Sequence, residues 1–472
     1  MRRMQIGVFF VCALGVVAFG WSRDLVGGDG TLIKNASSVL TMDPSRGDRS
    51  LLGLLKNADV LILGDRIAAV GNVENPPDGV QVIDGRGMLV MPGFVDTHDH
   101  LWQSIIRGCA TDENVAGWLR RCVNPLFDQS FRDRFSEDDA YAAVRLSTTG
   151  LIDTGVTTVT DWSHPFNQNF FRGNLHALND SGLRYAFAMG FAPPYSTGQD
   201  IEKAKKDFID PNPLGTLQIA AGVSTAVLPD HPDVLVTAAA VAIAKDLHVK
   251  LHVHLLESPD QRKNKPFKIL ERTGALALGP DFIAAHAIHL IPTEIRELAA
   301  HGNSVSHQPL SNMRLASGII HYTEMKEAGI RIGLGLDGGT NDTADFFNNM
   351  RAATGLQRAL WIDPKRSPTV EEVLRAATLG GAEVLGMDKK IGSLTPGKQA
   401  DIIVIDMNMV NFAPVLKPAA QLVFNGQPPN VKWVFVAGRT LKEDGKVTGV
   451  DERQVIDAAQ TAANDLTPPL DP

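Results

Sequence analysis

Cysteine is scarce in this sequence, with three in 472 residues, and each absence around it narrows the reading. Cys12 falls in the first residues, which leaves Cys109 and Cys122 for the rest of the chain. No Cys-x-x-Cys zinc site and no disulfide framework can therefore organise the fold. Basic residues never cluster beyond pairs such as Arg120-Arg121 and Lys389-Lys390, and the formal net charge is -8. Such a surface offers no electrostatic footprint for a polyanion, so nucleic acid is not an expected partner. Low-complexity tracts are missing too, and 44% hydrophobic with 21% charged residues is the composition of a globular enzyme. The length exceeds one small core. It suits one large α/β barrel with additions, or two to three ordinary domains.

Only one long uncharged run exists, from Met4 to Ser22, and it follows the basic start Met1-Arg2-Arg3. Ala18 and Gly20 stand at the small-residue spacing of a signal-peptidase site, so residues 1–20 read as a signal peptide cleaved near Gly20. A spanning helix needs about 20 apolar residues and would be marginal here, which makes an uncleaved anchor the alternative. Phe10-Val11 before Cys12 lacks the small residue of a lipidation site. The expectation is a periplasmic or secreted protein with no stable membrane association after cleavage. An oxidising compartment would permit Cys109 and Cys122 to pair across the short segment 110–121. Two buried free thiols are the alternative.

Short strand-like runs at 31–36 and 58–71 return in texture at 401–406 and 431–439. These predict a small β-sandwich domain formed by both chain ends, its first part at 31–90 and its second at 391–445, with a C-terminal tail at 446–472. Between them, residues 91–390 alternate apolar runs with helical segments, the pattern of a parallel sheet with crossover helices. Eight such runs centre on 93–96, 157–160, 185–188, 217–220, 250–253, 282–285, 303–306 and 331–334. Gly155, Gly182, Gly274, Gly302 and Gly329 stand where helices should end before the next strand. Eight repeats over this length predict a (β/α)8 TIM-type barrel.

A barrel of that kind carries its chemistry at the C-terminal ends of its strands. The first run ends Val95-Asp96-Thr97-His98-Asp99-His100, and strand alternation points His98 and His100 the same way, with Asp99 opposite. The fifth ends His252-Val253-His254-Leu255-Leu256-Glu257. One of that histidine pair reads as a ligand and the other as a hydrogen-bonded core residue one layer down. The sixth ends Ala285-His286-Ala287-Ile288-His289, and the eighth ends Leu336-Asp337-Gly338-Gly339. Singly each is weak, since a lone His-x-His is as often structural as functional, and an Asp before glycines can simply cap a turn.

Taken in order, the runs at 92–100, 254–257, 285–290, 311–318, 335–338 and 391–402 resemble the motifs of the amidohydrolase superfamily. The nearest branch is that of the deaminases and chlorohydrolases typified by cytosine deaminase, S-adenosylhomocysteine deaminase and atrazine chlorohydrolase. The resemblance implies a metal-dependent hydrolase acting on carbon-nitrogen bonds other than peptide bonds. His98, His100, His254 and Asp337 would hold one divalent ion, Zn²⁺ or Fe²⁺, which lowers the pKa of a bound water from 15.7 to about 7 in the zinc case. Glu257 and His286 would handle protons, and Asp337 would help His286 to orient or deprotonate the water. Relatives with two metals need a lysine after the fourth run, and 217–225 contains none, so one metal is expected. Homo-oligomers are common among such relatives.

The substrate is less legible. Gln103 and Trp118 follow the first run and Trp162 the second, in company with Trp102, Phe166, Phe170 and Phe171. Gln103, Trp118 and Trp162 are candidate walls for a flat heterocycle, although such aromatics often only pack loops onto a barrel. Nucleoside-directed relatives carry a Pro-His pair after the fourth run, where this chain has Ser224-Thr225-Ala226, a departure that weighs against a purine nucleoside. The expectation is hydrolytic deamination of a small heterocycle. Hydrolysis of a halide, cyclic amide or carbamate is the alternative, and a catalytically silent binding protein the third reading, which retention of both Glu257 and His286 disfavours.

Overall fold

The computed structural model describes residues 30–222, 234–340 and 343–466. The expected leader at 1–20, the departure at 224–226 and residues 467–472 of the expected tail lie outside them. Five strands open the described chain: β1 (Gly30–Leu40), β2 (Leu54–Leu63), β3 (Arg66–Gly71), β4 (Gln81–Asp84) and β5 (Met88–Pro92). Eight more alternate with helices: β6 (Phe94–Asp99), β7 (Val156–Ser163), β8 (Arg184–Gly190), β9 (Gly215–Ala221), β10 (Lys250–Leu255), β11 (Phe282–His286), β12 (Ser304–His307) and β13 (Arg331–Leu334). Four close the chain: β14 (Ile402–Asp406), β15 (Val431–Val436), β16 (Arg439–Glu443) and β17 (Lys446–Val447).

Strands β6 to β13 pair in chain order, all parallel, as the eight runs predict. Every residue of β6, β7 and β8 is buried, because helices cover the outer face and neighbouring side chains fill the inner one. The helix Glu137–Thr154 shows how a crossover is punctuated. Ser136 and Asp139 form a capping box at its start, Glu137 and Asp138 add charge favourable to its dipole, and Gly155 ends it at φ 96° just before β7. Gly182, Gly274 and Gly302 end helices in the same left-handed conformation.

The seam between β6 and β13 is joined at its upper end. The Asp337 backbone N–H donates to His98 O at 2.9 Å, and Thr97 Oγ1 donates to Leu334 O at 2.9 Å. Glycine is required for this approach, since a Cβ at Gly335 would stand 2.8 Å from His98 O.

The sandwich expected from the chain ends is built as one hydrogen-bonded mixed sheet, in the order β17-β16-β15-β14-β5-β1-β2-β3. Its fold-over lies in β1. A register shift between Ile33 and Ala36 lets the first half of β1 pair with β4 and its second half with β5. β5 and β14 join the two ends antiparallel, and Ile33, Val60, Val90, Ile402, Val404 and Phe435 close a small core of their own. Arg184, at the foot of β8, fixes this sheet to the barrel through a two-pronged ion pair with Asp401.

Candidate metal centre

At the upper end of the barrel, His98, His254, His286 and Asp337 each bring one ligand-type atom within 4.8 Å of the others. His100 joins from the next inward position of β6, with its Nε2 3.2 Å from His254 Nε2 and 3.5 Å from Asp337 Oδ1. All five are buried. Several of these groups leave their strands through left-handed turns. Leu256, His286, Ala287 and Asp337 have φ between 49° and 72°, a conformation that costs non-glycine residues energy and recurs at functional sites. Gln308 holds one such turn in place by accepting the His286 N–H at 2.9 Å.

The hydrogen bonds behind the rings decide which nitrogen faces the centre. Gln218 Oε1 can only accept, so His252 Nδ1 donates to it at 3.2 Å, and His252 Nε2 is left to accept from His98 Nδ1 at 3.1 Å. Burial pushes His252 down to about 3 and His98 well below the ordinary histidine range, so both rings are neutral. His98 Nε2 is then a lone pair, and it lies 3.1 Å from Asp337 Oδ1 with no hydrogen-bond partner. His100 Nδ1 donates to Trp162 O at 2.7 Å, which makes its Nε2 a second inward lone pair. Acceptors facing acceptors in a buried site repel one another unless a cation lies between them. This donor set of imidazoles and one carboxylate fits a divalent transition metal, and its backing hydrogen bonds are those that orient such ligands.

His286 differs from the others. The Asn312 side-chain amide donates to its Nδ1 at 2.9 Å, which leaves Nε2 as the ring's N–H, 3.8 Å from Glu257 Oε2. Burial raises the Glu257 carboxyl to about 7; the nearby His286 opposes this shift and Asp337 adds to it. An acid and a donor-bearing imidazole thus stand side by side next to the cluster.

Gln103, Trp118 and Trp162 all line the cavity above these groups, together with Val115, Leu119, His164, Gln261 and Leu315. Trp102, Phe166 and Phe170 do not line it. They pack with Phe135 behind the wall as interior residues. His252 is the core member of its pair, one layer below. Two lining residues escaped the sequence reading. His164 follows β7 two residues after Trp162, the same alternate spacing that marks His98 and His100. Gln261 stands four residues past Glu257, inside the capping box of Ser258. The enclosed space is about 40 Å³, enough for an ion and a few waters. One wall is the segment carrying Val115, Trp118 and Leu119, and its ends are tied by a disulfide between Cys109 and Cys122.

The chain is similar to known deaminases and hydrolases. The 5'-deoxyadenosine deaminase of Methanothermobacter thermautotrophicus is 31% identical over 427 residues, 88% of this chain and 96% of the relative. The 5-methylthioadenosine/S-adenosylhomocysteine deaminase of Pelotomaculum thermopropionicum is 30% identical over 447 residues, 92% and 98% of the two chains. Among solved structures, atrazine chlorohydrolase TrzN from Arthrobacter aurescens TC1, complexed with zinc, superposes with a TM-score of 0.81 at 25% identity, covering 92% of this chain and all of that one. Residues 89–441 match the Amidohydrolase family from the last strand of the first β segment to beyond the barrel, and the chain belongs to that family.

Proposed function

We propose that the protein is a zinc-dependent aminohydrolase that replaces the exocyclic amino group of a 6-aminopurine by oxygen and releases ammonia. One ion is held by His98, His100, His254 and Asp337. The convergence of imidazole nitrogens on a buried carboxylate carries this reading, because one cation placed among them would satisfy them all together. Bound there, the ion supplies hydroxide at neutral pH. His286 is kept out of the ligand set because Asn312 places its proton on the inward nitrogen. Support for a purine comes from relatives whose names specify adenosine derivatives, and it outweighs the departure at 224–226 on which the sequence reading disfavoured a purine nucleoside.

The chain's own residues divide the proton work. Glu257, poised near neutrality, donates a proton to the ring nitrogen beside the carbon under attack. It then takes the remaining proton of the added hydroxyl and delivers it to the departing amine, and the proton released when the next water ionises restores it, so that water and amine give a ring carbonyl and ammonia. His286 presents its Nε2–H to the developing negative oxygen, and Trp118, Trp162 and Leu315 form apolar walls that exclude water.

Zinc-loaded protein screened against amino-purines, amino-pyrimidinones and amino-triazines, with ammonia detection, tests the reading. Ammonia from 5'-deoxyadenosine is the expected result. Chloride release from a chlorotriazine without ammonia from any amine would assign the chain to the dehalogenases instead. Export rests on the start of the sequence: N-terminal sequencing should find the mature chain beginning just after Gly20, and a cytoplasmic protein retaining Met1 overturns it.

A further inference from the structure

Four polar side chains on the cavity wall share a pattern that the reaction itself does not require. Gln103 Oε1 accepts the backbone N–H of Gly339 at 3.2 Å. Gln261 Oε1 accepts the N–H groups of Glu257 and Ser258, at 2.6 and 3.3 Å. His164 Nδ1 accepts the indole N–H of Trp102 at 3.0 Å. Backbone and indole N–H groups can only donate, so they fix the orientation of both amides and the tautomer of the imidazole. The protein thereby occupies the acceptor, fully at Gln261 and His164 and by one of two lone pairs at Gln103, and leaves an N–H on each of three side chains that line the cavity. Trp118 adds a fourth: its ring lines the cavity at 3% exposure, and its Nε1–H is buried without a partner.

A buried donor left unmatched costs about 1–3 kcal/mol, so such groups are matched by whatever occupies the site. Here every available match is an acceptor. The side-chain acceptors of the cavity lie at the reacting end, at Glu257, Asp337 and the inward ring nitrogen of His100. We infer that the wall formed by Gln103, Trp118, His164 and Gln261 reads the edges of the substrate that do not react, and accepts only rings whose edges there are hydrogen-bond acceptors, either unprotonated ring nitrogens or carbonyl oxygens. Added ring amines or N–H groups would meet N–H groups and be rejected. The proposal rests on the aminopurine reading, which supplies acceptors of this kind at the two ring nitrogens outside the amine-bearing edge. It deepens that reading by assigning four recognition residues and a rule of selection.

The probes are 5'-deoxyadenosine and its 3-deaza and 7-deaza analogues, in which one acceptor nitrogen becomes C–H. Binding is measured by calorimetry on zinc-loaded Glu257→Gln protein, and ammonia release on the zinc-loaded wild type. At least one analogue should bind roughly a hundredfold more weakly than the parent. Trp118→Phe, which keeps the ring and removes the N–H, and His164→Asn, which withdraws the inward donor, should each weaken the parent about tenfold and shrink the penalty for the matching analogue. KM should rise while kcat and zinc content stay near wild type, and His164→Gln should restore part of the loss. Discrimination in binding without ammonia leaves the wall as inferred and removes the deamination reading. Ammonia from all three probes at equal efficiency, with Trp118→Phe and His164→Asn unchanged, leaves the reaction and overturns the wall. Absence of both binding and ammonia overturns both.

Discussion

Arg184 and Asp401 meet at the foot of the barrel, while His98, His100, His254 and Asp337 meet at its mouth, and both groups are almost wholly buried. At the foot the accounts of donors and acceptors agree. Asp401 receives two guanidinium N–H groups and the Ala437 N–H, at 2.8, 3.1 and 2.8 Å. At the mouth, lone pairs face a carboxylate, and three further acids lie close beneath. Burial raises Asp96 well above its ordinary value, Asp99 to about 7 and Asp161 to about 8. The same fold thus contains a finished polar contact, which serves cohesion, and one in which the inward nitrogen of His98 has no hydrogen-bond partner, which suits a guest. Burial alone does not separate structure from function; the state of satisfaction does.

The sharpest separation should come at Glu257, which is proposed to handle protons without holding the ion. Glu257→Gln should lower kcat by roughly 10²–10⁴-fold with zinc near one per chain. His254→Ala and Asp337→Ala should lose zinc together with activity. Metal analysis and turnover on the same preparations decide between them, and full zinc in both ligand variants would move the centre elsewhere. Asp401→Ala should act in reverse. Stranding Arg184 should cost about 3–5 kcal/mol in urea unfolding while the folded fraction keeps its zinc. Loss of zinc without loss of stability would erase the contrast between foot and mouth.

A smaller effect of about 3 kcal/mol is expected when Cys109 and Cys122 are both changed to Ser, since the disulfide closes a short loop of the unfolded chain. Because that loop carries Trp118, KM should shift in the same variant while zinc content does not. Two free thiols in unfolded, unreduced protein would remove the bond from the account. The smallest effect concerns Asp161 in zinc-free protein. Folded, it keeps its proton to about pH 8, and unfolded it loses it near pH 4, so between these values the folded form binds more protons. Stability should therefore fall as pH rises through this window, by about 1.4 kcal/mol per unit at most. Urea midpoints at pH 6 and pH 8 measure the slope, which Asp161→Asn should flatten.

Much of this was legible in the chain. The eight barrel strands show as apolar runs because both faces of a parallel sheet are covered, and the pairing of the chain ends shows in their matching strand texture. β4 and β5 were not singled out: β4 has four residues, and β5 merges into the apolar run leading to β6. Alternate spacing brought His98 and His100 to one side and left His252 and His254 unresolved between ligand and core. The family resemblance chose His254, and in the structure His252 contacts His98 and Gln218 instead. His164 had the right spacing after Trp162 but no second histidine to mark it. Gln103 was named as a wall, yet its role as a donor depends on Gly339, 236 residues away. Local pattern can nominate a side chain; long-range hydrogen bonds decide which of its atoms is free.

The joint between β6 and β13 also sets a calendar. His98 and Asp337 are neighbours across the barrel seam, but one belongs to the first barrel strand and the other follows the last. At about 5–20 residues per second, a ribosome separates them by roughly ten to fifty seconds. Throughout that interval the growing chain has His98 and His100 but neither the carboxylate opposite them nor the final strand that turns an open sheet into a barrel. The crowding of lone pairs that calls for a cation does not yet exist. An ion held as proposed would be cargo for a completed vessel, taken aboard after the last strand has docked, and not the keel around which the barrel is laid down.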